Sequence, residues 1–359
     1  MQEPRRARQL GIEIGVLPTG AHNAITDVSG VRVGHTTIVA GDSIRTGVTA
    51  VVPEQLFTWA ALPAGLSVGN GYGKIVGSTQ VAELGEIETP VLLTATLSTF
   101  RVADALVTYL LGLPGREDAQ SVNPVVAETN DGFLSDIRAR PVTEEHVLAA
   151  LHGATGGLPG EGCVGAGTGT GALGFKAGIG TSSRVTTTSR GAATVGVLVQ
   201  SNFSGVLRVC GVPVSRERMG VPVAPVTPGA APGAAAEHPG NSCVIVVATD
   251  ARLDARQLGR LARRAIFAMG RVGSDFTSGS GDYALAFATA EPVLPVLPVL
   301  PESDVDPLFT AVLEATEEAL LNSLFMATTT VGFNGHVRYA VPHDRLLALL
   351  GERGVAGTG

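Results

Sequence analysis

Residues 221–249 read VPVAPVTPGAAPGAAAEHPGNSCVIVVAT, and the bond between Asn241 and Ser242 divides two kinds of chain. Residues 221–240 are Pro, Ala and Gly with almost nothing to bury, a composition that predicts a mobile surface segment. The run that opens at Ser242, SCVIVVAT, is the most strand-like in the sequence. Being apolar throughout, it predicts a strand at the centre of a sheet covered on both faces.

Working outward, residues 254–270 have helical spacing, with Asp254 as cap and Leu258, Leu261, Ala262, Ala265, Ile266 and Met269 on one face. Residues 283–289 read as a strand after the small polar turn 277–282, and 307–326 as a long helix. The prolines of 291–302 argue for an extended loop. On the other side of the junction, 192–200 forms a strand ending in the polar turn Ser201-Asn202. Residues 143–152, 102–113 and 75–84 have helical spacing, with Thr143 capping the first and Glu144 and Glu145 in its opening turn. Residues 91–96 and 49–52 read as strands, 25–39 as a strand or hairpin, and 67–74 and 153–170 as glycine-rich loops. Strands and helices alternate in blocks, which gives an α/β or layered α+β fold.

Bulk properties bound the partners. The net charge is −7, and Lys74 and Lys176 are the only lysines, so there is no basic stripe for nucleic acid and no polybasic segment for anionic lipid. No apolar run reaches the roughly 20 residues that span a bilayer, and no secretory signal is legible. Cys163, Cys210 and Cys243 are odd in number and widely spaced, which fits reduced thiols in the cytoplasm. The seven histidines form no H-E-x-x-H pair, and G-x-S-x-G is absent, which disfavours a metallopeptidase or an α/β-hydrolase. The glycine run 165–171 lacks both nucleotide-binding spacings and reads as a packing loop.

A linker running into a buried strand whose first residue is Ser suits a chain cut before that Ser. The Ser242 hydroxyl can attack the preceding carbonyl, and hydrolysis of the resulting ester frees an α-amine. Such an amine titrates at about 7.7–8.0 and can serve as base for its own hydroxyl. By itself, a Ser opening a strand is ordinarily structural. Ser280 and Asp282 could orient the new amine and the hydroxyl, or simply close a hairpin turn. Asn202 could donate to an oxyanion or satisfy a tight turn. Glu128, ending an apolar run, could hold a substrate ammonium or be a capping or solvated loop residue.

Several long blocks then occur in one order: ITDVSGVRVGHTT, RTGVTAVVP, GNGYGK, NPVVAETNDGFLSDI, GAGTGTGALGFKAGIGTSSR, VGVLVQSNFSG, NSCVIVVATD and SGSGDYALAFAT. Together they resemble the P1 peptidases, the group that contains the L-aminopeptidase/D-alanyl-esterase and the β-peptidyl aminopeptidases. The resemblance runs nearly end to end. It implies one peptidase domain over 1–359 with a four-layer α/β/β/α sandwich, like the Ntn-hydrolases but differently connected. It implies cleavage between Asn241 and Ser242 into chains 1–241 and 242–359 that stay associated, usually as a homotetramer. Ser242 would be the nucleophile, Ser280 and Asp282 its partners, Asn202 the oxyanion donor and Glu128 the ammonium ligand. The implied activity is a serine aminopeptidase acting on small peptides, amides or esters through an acyl-enzyme, with no metal or organic cofactor.

There are departures from the group's pattern. Ala95 and Leu97 replace polar residues expected in the site region, Phe133 stands where some relatives have Tyr, and Asp282 where some have Glu. Two rivals stay open: an ω-amino-acid amide hydrolase of the nylon-oligomer type, which usually carries Thr as nucleophile, and an unprocessed, non-catalytic homologue.

Overall fold

The computed structural model describes residues 2–58, 61–222, 242–290 and 298–355. Eleven strands of the described residues build two mixed sheets. They are β1 (Val31–Ala40), β2 (Ile44–Pro53), β3 (Leu62–Gly71), β4 (Ile75–Val76), β5 (Glu86–Ile87), β6 (Val91–Ala95), β7 (Val125–Thr129), β8 (Ile179–Thr188), β9 (Gly191–Asn202), β10 (Ser242–Thr249) and β11 (Gly281–Ala288). The helices are α1 (Ser78–Leu84), α2 (Thr99–Leu111), α3 (Glu144–His152), α4 (Ala255–Arg271), α5 (Val305–Phe325) and α6 (His343–Glu352). One sheet has the order β1-β2-β6-β7-β4, the other β8-β9-β10-β11-β3-β5.

The SCVIVVAT run is β10, and all eight of its residues are buried. Strand periodicity sends alternate side chains to opposite faces. Cys243, Ile245 and Val247 enter a core shared with α4 and α5, whereas Val244, Val246 and Ala248 enter a second core between the sheets. A third core packs α2 and α3 on the outer face of the first sheet. Three cores between four layers give the expected α/β/β/α sandwich, with the middle strand apolar on both faces.

Each sheet holds one parallel pair, and each pair is linked by a helix, as parallel strands require. Strand β6 runs through α2 to the parallel β7, and β10 through α4 to the parallel β11. Helix α4 starts where expected, with Asp254 Oδ1 accepting from the Gln257 N–H at 2.7 Å. It lies so close to β3 that a Cβ on Gly65 would stand 2.2 Å from the main-chain nitrogen of Gly259.

Several local readings change. Residues 67–71 are the end of β3 rather than loop, and 75–84 divides into the short β4 and α1. Ser201 and Asn202 are not a turn; they are the last two residues of β9 and remain paired with β10. Asp282 lies inside β11, which runs parallel to β10, so the 277–282 turn closes no hairpin between them. The 165–171 run does pack as a buried loop, with a 3-10 turn at Gly165–Gly167. Apart from Val221 and Pro222, the proline-alanine segment, together with Asn241, lies outside the described residues, as do residues 291–297 of the expected extended loop.

Strand β8 was hidden because its buried residues are polar. Thr181, Ser182, Ser183 and Arg184 are all fully buried, and each finds a partner. Arg184 bonds Glu314 at 3.2 Å and Glu318 at 2.6 Å, both on α5. Glu318 also takes Arg8 at 3.2 Å and the Asn23 amide at 2.5 Å, which ties the N-terminal segment to the same helix. Removing the guanidinium leaves two buried carboxylates without their main counter-charge, and breaking such a pair typically costs about 3–5 kcal/mol. Arg184→Met should therefore lower the unfolding free energy by about that amount in a denaturant titration; a loss near zero would show the network to be dispensable.

Candidate active site

Strand register assembles the site. Ser242, the first residue of β10, pairs with Asn202 on one side and with Gly281 on the other. One step along, Cys243 pairs with Asp282, and Asp282 in turn pairs with Asn70 of β3. Four adjacent strands thus bring Asn202, Ser242, Asp282 and Asn70 to one end of the sheet, all buried except the half-buried Asn70.

Ser280 and Asp282 are in direct contact. Ser280 Oγ donates to Asp282 Oδ1 at 2.7 Å, and the Asn70 amide donates to Oδ2 at 3.2 Å. Burial pushes the Asp282 carboxyl above the usual carboxylate range, opposed by these two bonds and by the Cys243 N–H. The same Asn70 nitrogen reaches the carbonyls of Phe276 at 3.0 Å and Thr277 at 3.3 Å. Phe276 has φ 48, a left-handed conformation that non-glycine residues seldom adopt, so Asn70 braces a strained turn immediately before Ser280.

Asn202 is oriented from both ends. Its Oδ1 accepts from the Gly171 N–H at 3.2 Å, and its Nδ2 donates to the Asn130 carbonyl at 3.0 Å. An amide nitrogen carries two hydrogens, so one N–H of Asn202 remains for another acceptor. Asn130 directly follows β7, the strand that carries Glu128.

Glu128 is buried on β7, not in a loop, so the solvated-loop alternative falls away. Its Oε1 accepts the main-chain N–H of Lys74 at 3.0 Å and pairs with the Lys74 ammonium at 3.1 Å. Gly73 makes this approach possible: a Cβ there would lie 3.2 Å from Glu128 Oε1 and 3.1 Å from the Tyr283 hydroxyl. The Tyr72 N–H donates to the Ser280 carbonyl at 3.0 Å, so the loop after β3 links the Ser280 turn to Glu128.

Ala95 ends β6 beside Thr129 and is buried, while Leu97 follows it half exposed. Phe133 stacks on His336 with ring centroids 4.5 Å apart, and the Arg338 guanidinium lies over the Phe133 ring, 4.3 Å from its centroid. Among the described residues no group of three or more His, Cys, Asp or Glu side chains is placed to hold a metal ion, and no helix is long and apolar enough to cross a membrane.

The model of "Peptidase family S58" matches residues 23–338. The chain belongs to peptidase family S58. A beta-peptidyl aminopeptidase BapA of Sphingosinicella xenopeptidilytica is 41% identical across 97% of this chain and 91% of its own. The structure of a Burkholderia sp. beta-aminopeptidase superposes with TM-score 0.85 at 38% identity, covering 99% of this chain and all of that one. The L-aminopeptidase D-ala-esterase/amidase from Ochrobactrum anthropi, described as a prototype for the serine aminopeptidases and a new variant of the Ntn hydrolase fold, superposes at TM-score 0.86 with 33% identity, covering 98% and 99% of the two chains. The likeness to the P1 peptidases is therefore borne out: the chain is a hydrolase of the serine aminopeptidase kind, with a fold of the Ntn type.

Sequence reading of this S58 peptidase missed Asn70, Lys74, Asn130, Tyr283 and Asp131. Asn70 and Lys74 lie in the GNGYGK block, Asn130 and Asp131 in NPVVAETNDGFLSDI and Tyr283 in SGSGDYALAFAT, but membership of a block gives none of them a role. Asp131 is buried; neither carboxylate oxygen meets full hydrogen-bond geometry with a described residue, although the Thr46 hydroxyl and the Asp131 N–H lie near enough to oppose the effect of burial. Burial raises its carboxyl from an ordinary 3.8 to about 7. The folded chain then keeps a proton that the unfolded chain gives up above about pH 4, so this group's contribution to stability falls as pH rises toward 7. Asp131→Asn should flatten that slope, narrowing the stability difference between about pH 5 and about pH 8 by about 2 kcal/mol. Denaturant titrations of both proteins at the two pH values measure it, and equal slopes would show Asp131 to be ionised in the fold.

Proposed function

We propose that this S58 peptidase is made as a precursor that cuts its own Asn241–Ser242 bond and then works as an N-terminal-nucleophile serine aminopeptidase on Ser242. The observation that carries the reading is the register: Ser242 opens a central strand with Asn202 across one ladder and the Ser280–Asp282 pair beside the other.

In processing, Ser242 Oγ attacks the Asn241 carbonyl carbon. The C–N bond breaks, its nitrogen takes up a proton as the new α-amine, and an ester joins Asn241 to Ser242 Oγ. Water attacks the ester, its C–O bond breaks, and the hydroxyl is restored. An α-amine with an ordinary value of about 7.7–8.0 is part neutral near physiological pH, so it can accept the hydroxyl proton as Oγ attacks a substrate carbonyl. The free N–H of Asn202 supports an oxyanion role, because its amide is held in one orientation by Gly171 and Asn130. The bonded Ser280 and Asp282 orient the amine and hydroxyl. The leaving amine takes the proton, and water then releases the acyl group and regenerates Oγ.

Glu128 is the ligand for the substrate's ammonium, which favours acyl groups with a free amine without being required for attack on an activated ester. The relatives' names direct attention to β-aminoacyl as well as L-aminoacyl amides, and to esters. The processed chains 1–241 and 242–359 stay together as one peptidase domain and assemble as a homotetramer. Three free cysteines support a cytoplasmic setting.

Intact mass under denaturing conditions, paired with hydrolysis of aminoacyl p-nitroanilides, tests the reading. Wild type should give two fragments meeting at Asn241/Ser242, and Ser242→Ala one full-length, inactive chain. A processed, active Ala variant would sink the proposal.

A further inference from the structure

Glu128 already holds a primary ammonium. Its Oε1 carries both the main-chain N–H and the Nζ of Lys74, whereas Oε2 has no hydrogen bond from any described residue. The chemistry of that Nζ is the chemistry of the amine that Glu128 is proposed to bind. The two partners differ sharply in freedom: the Glu128 side chain is 4% exposed and that of Lys74 is 34% exposed. The main-chain bond fixes the carboxylate without help from the side chain, so Nζ can leave while Glu128 stays in place. Lys74 and Lys176 are also the only lysines in a protein whose other permanently cationic side chains are all Arg. A guanidinium would grip a carboxylate with two parallel bonds; an ammonium on a flexible stem is a point charge that exchanges readily.

Building on the proposed role of Glu128, we infer that Lys74 is a specificity-determining residue: its ammonium occupies the amine site of the empty enzyme and competes with the ammonium of the substrate. The compensated carboxylate is stable without substrate, and a ligand that lacks a positive charge cannot take the place of Lys74. Whether the incoming amine takes Oε1 or shares the carboxylate through Oε2, it meets the repulsion of a second cation until Nζ moves away. Lys74 therefore weakens amine binding without touching the reacting carbonyl.

The sign of this effect separates it from a structural role. Lys74→Met removes the competitor and should lower KM for a β-alanyl or L-alanyl p-nitroanilide by about tenfold, with kcat little changed. Lys74→Arg holds Glu128 more tightly and should raise KM for the same substrates. A p-nitrophenyl acyl ester without an amine should show the same KM in all three proteins. A merely structural lysine would give the reverse order, with Met damaging and Arg preserving the site, and that result overturns the inference. So does an equal change for the amine-free ester. Glu128→Gln is run in parallel: if it fails to discriminate against amine-bearing substrates, the assignment of Glu128 itself is wrong; if it discriminates and the Lys74 variants do not, only the competition is wrong. Intact mass confirms that each variant is processed, and Lys74→Gln replaces Met if that variant does not fold.

Discussion

The ladder between β9 and β10 is the constraint on which the site depends. Because side chains alternate with period two, sliding β10 by one residue against its neighbours would send Ser242 to the opposite face and exchange the two cores that its side chains fill. Val244, Val246 and Ala248 between the sheets, and Cys243, Ile245 and Val247 under the helices, make that slip costly. The same apolar residues that stabilise the sandwich therefore fix the position of the serine, and no separate device is needed to aim it. The parallel neighbour β11, delivered by α4, brings Ser280 and Asp282 to the same end because parallel strands begin together.

Around this apolar centre the protein buries several charged side chains, most of them in compensated groups. Arg184 binds Glu314 and Glu318; Arg6 binds Glu161 at 2.8 Å; Lys74 binds Glu128. The arginine groups join the N-terminal segment, β8 and α5, holding the edge of the sheet next to β9. Buried pairs of this kind contribute little net stability over apolar packing, but they penalise any arrangement that separates the partners. Their position at the edge strand fits a role in specifying where β8 and α5 sit. Asp131 has no ion pair of this kind, and its burial instead raises the carboxyl to about 7, which favours the neutral form; that is the other way to bury a carboxyl group.

What the sequence made legible follows from this division. The apolar strand at Ser242 and the amphipathic helix after it depend on local pattern, and both were readable with their boundaries nearly correct. Strand β8 was not, since Thr181, Ser182, Ser183 and Arg184 look like a polar loop until Asn23, Glu161 and α5 arrive to pair with them. Asn202 looked like a turn residue for a similar reason: its partners, Gly171 and Asn130, are 31 and 72 residues away in sequence. Asn70 and Lys74 were quoted within a recognisable block, yet their roles require knowing that β3 lies beside β11 and that the following loop crosses to β7. Composition carries no trace of either juxtaposition.

The distribution of basic residues then acquires a meaning that net charge did not suggest. At the edge of the second sheet the architectural cation is an Arg, whose planar fork can satisfy several acceptors at once, as Arg184 does with two glutamates and the carbonyls of Ile14 and Ser183. Both lysines lie instead beside the carboxylates of the candidate site: Lys74 on Glu128, and Lys176 buried near Asp131. Lys176 donates to the carbonyls of Gly167 and Ala177, bracing the glycine loop whose Gly171 N–H orients Asn202. One lysine is locked and supports the loop behind the oxyanion donor; the other is half exposed and holds a carboxylate by a bond that its own main chain duplicates. An ammonium that is both redundant for structure and identical in kind to the ligand is a sensible occupant for a site that must be filled when empty and vacated on demand.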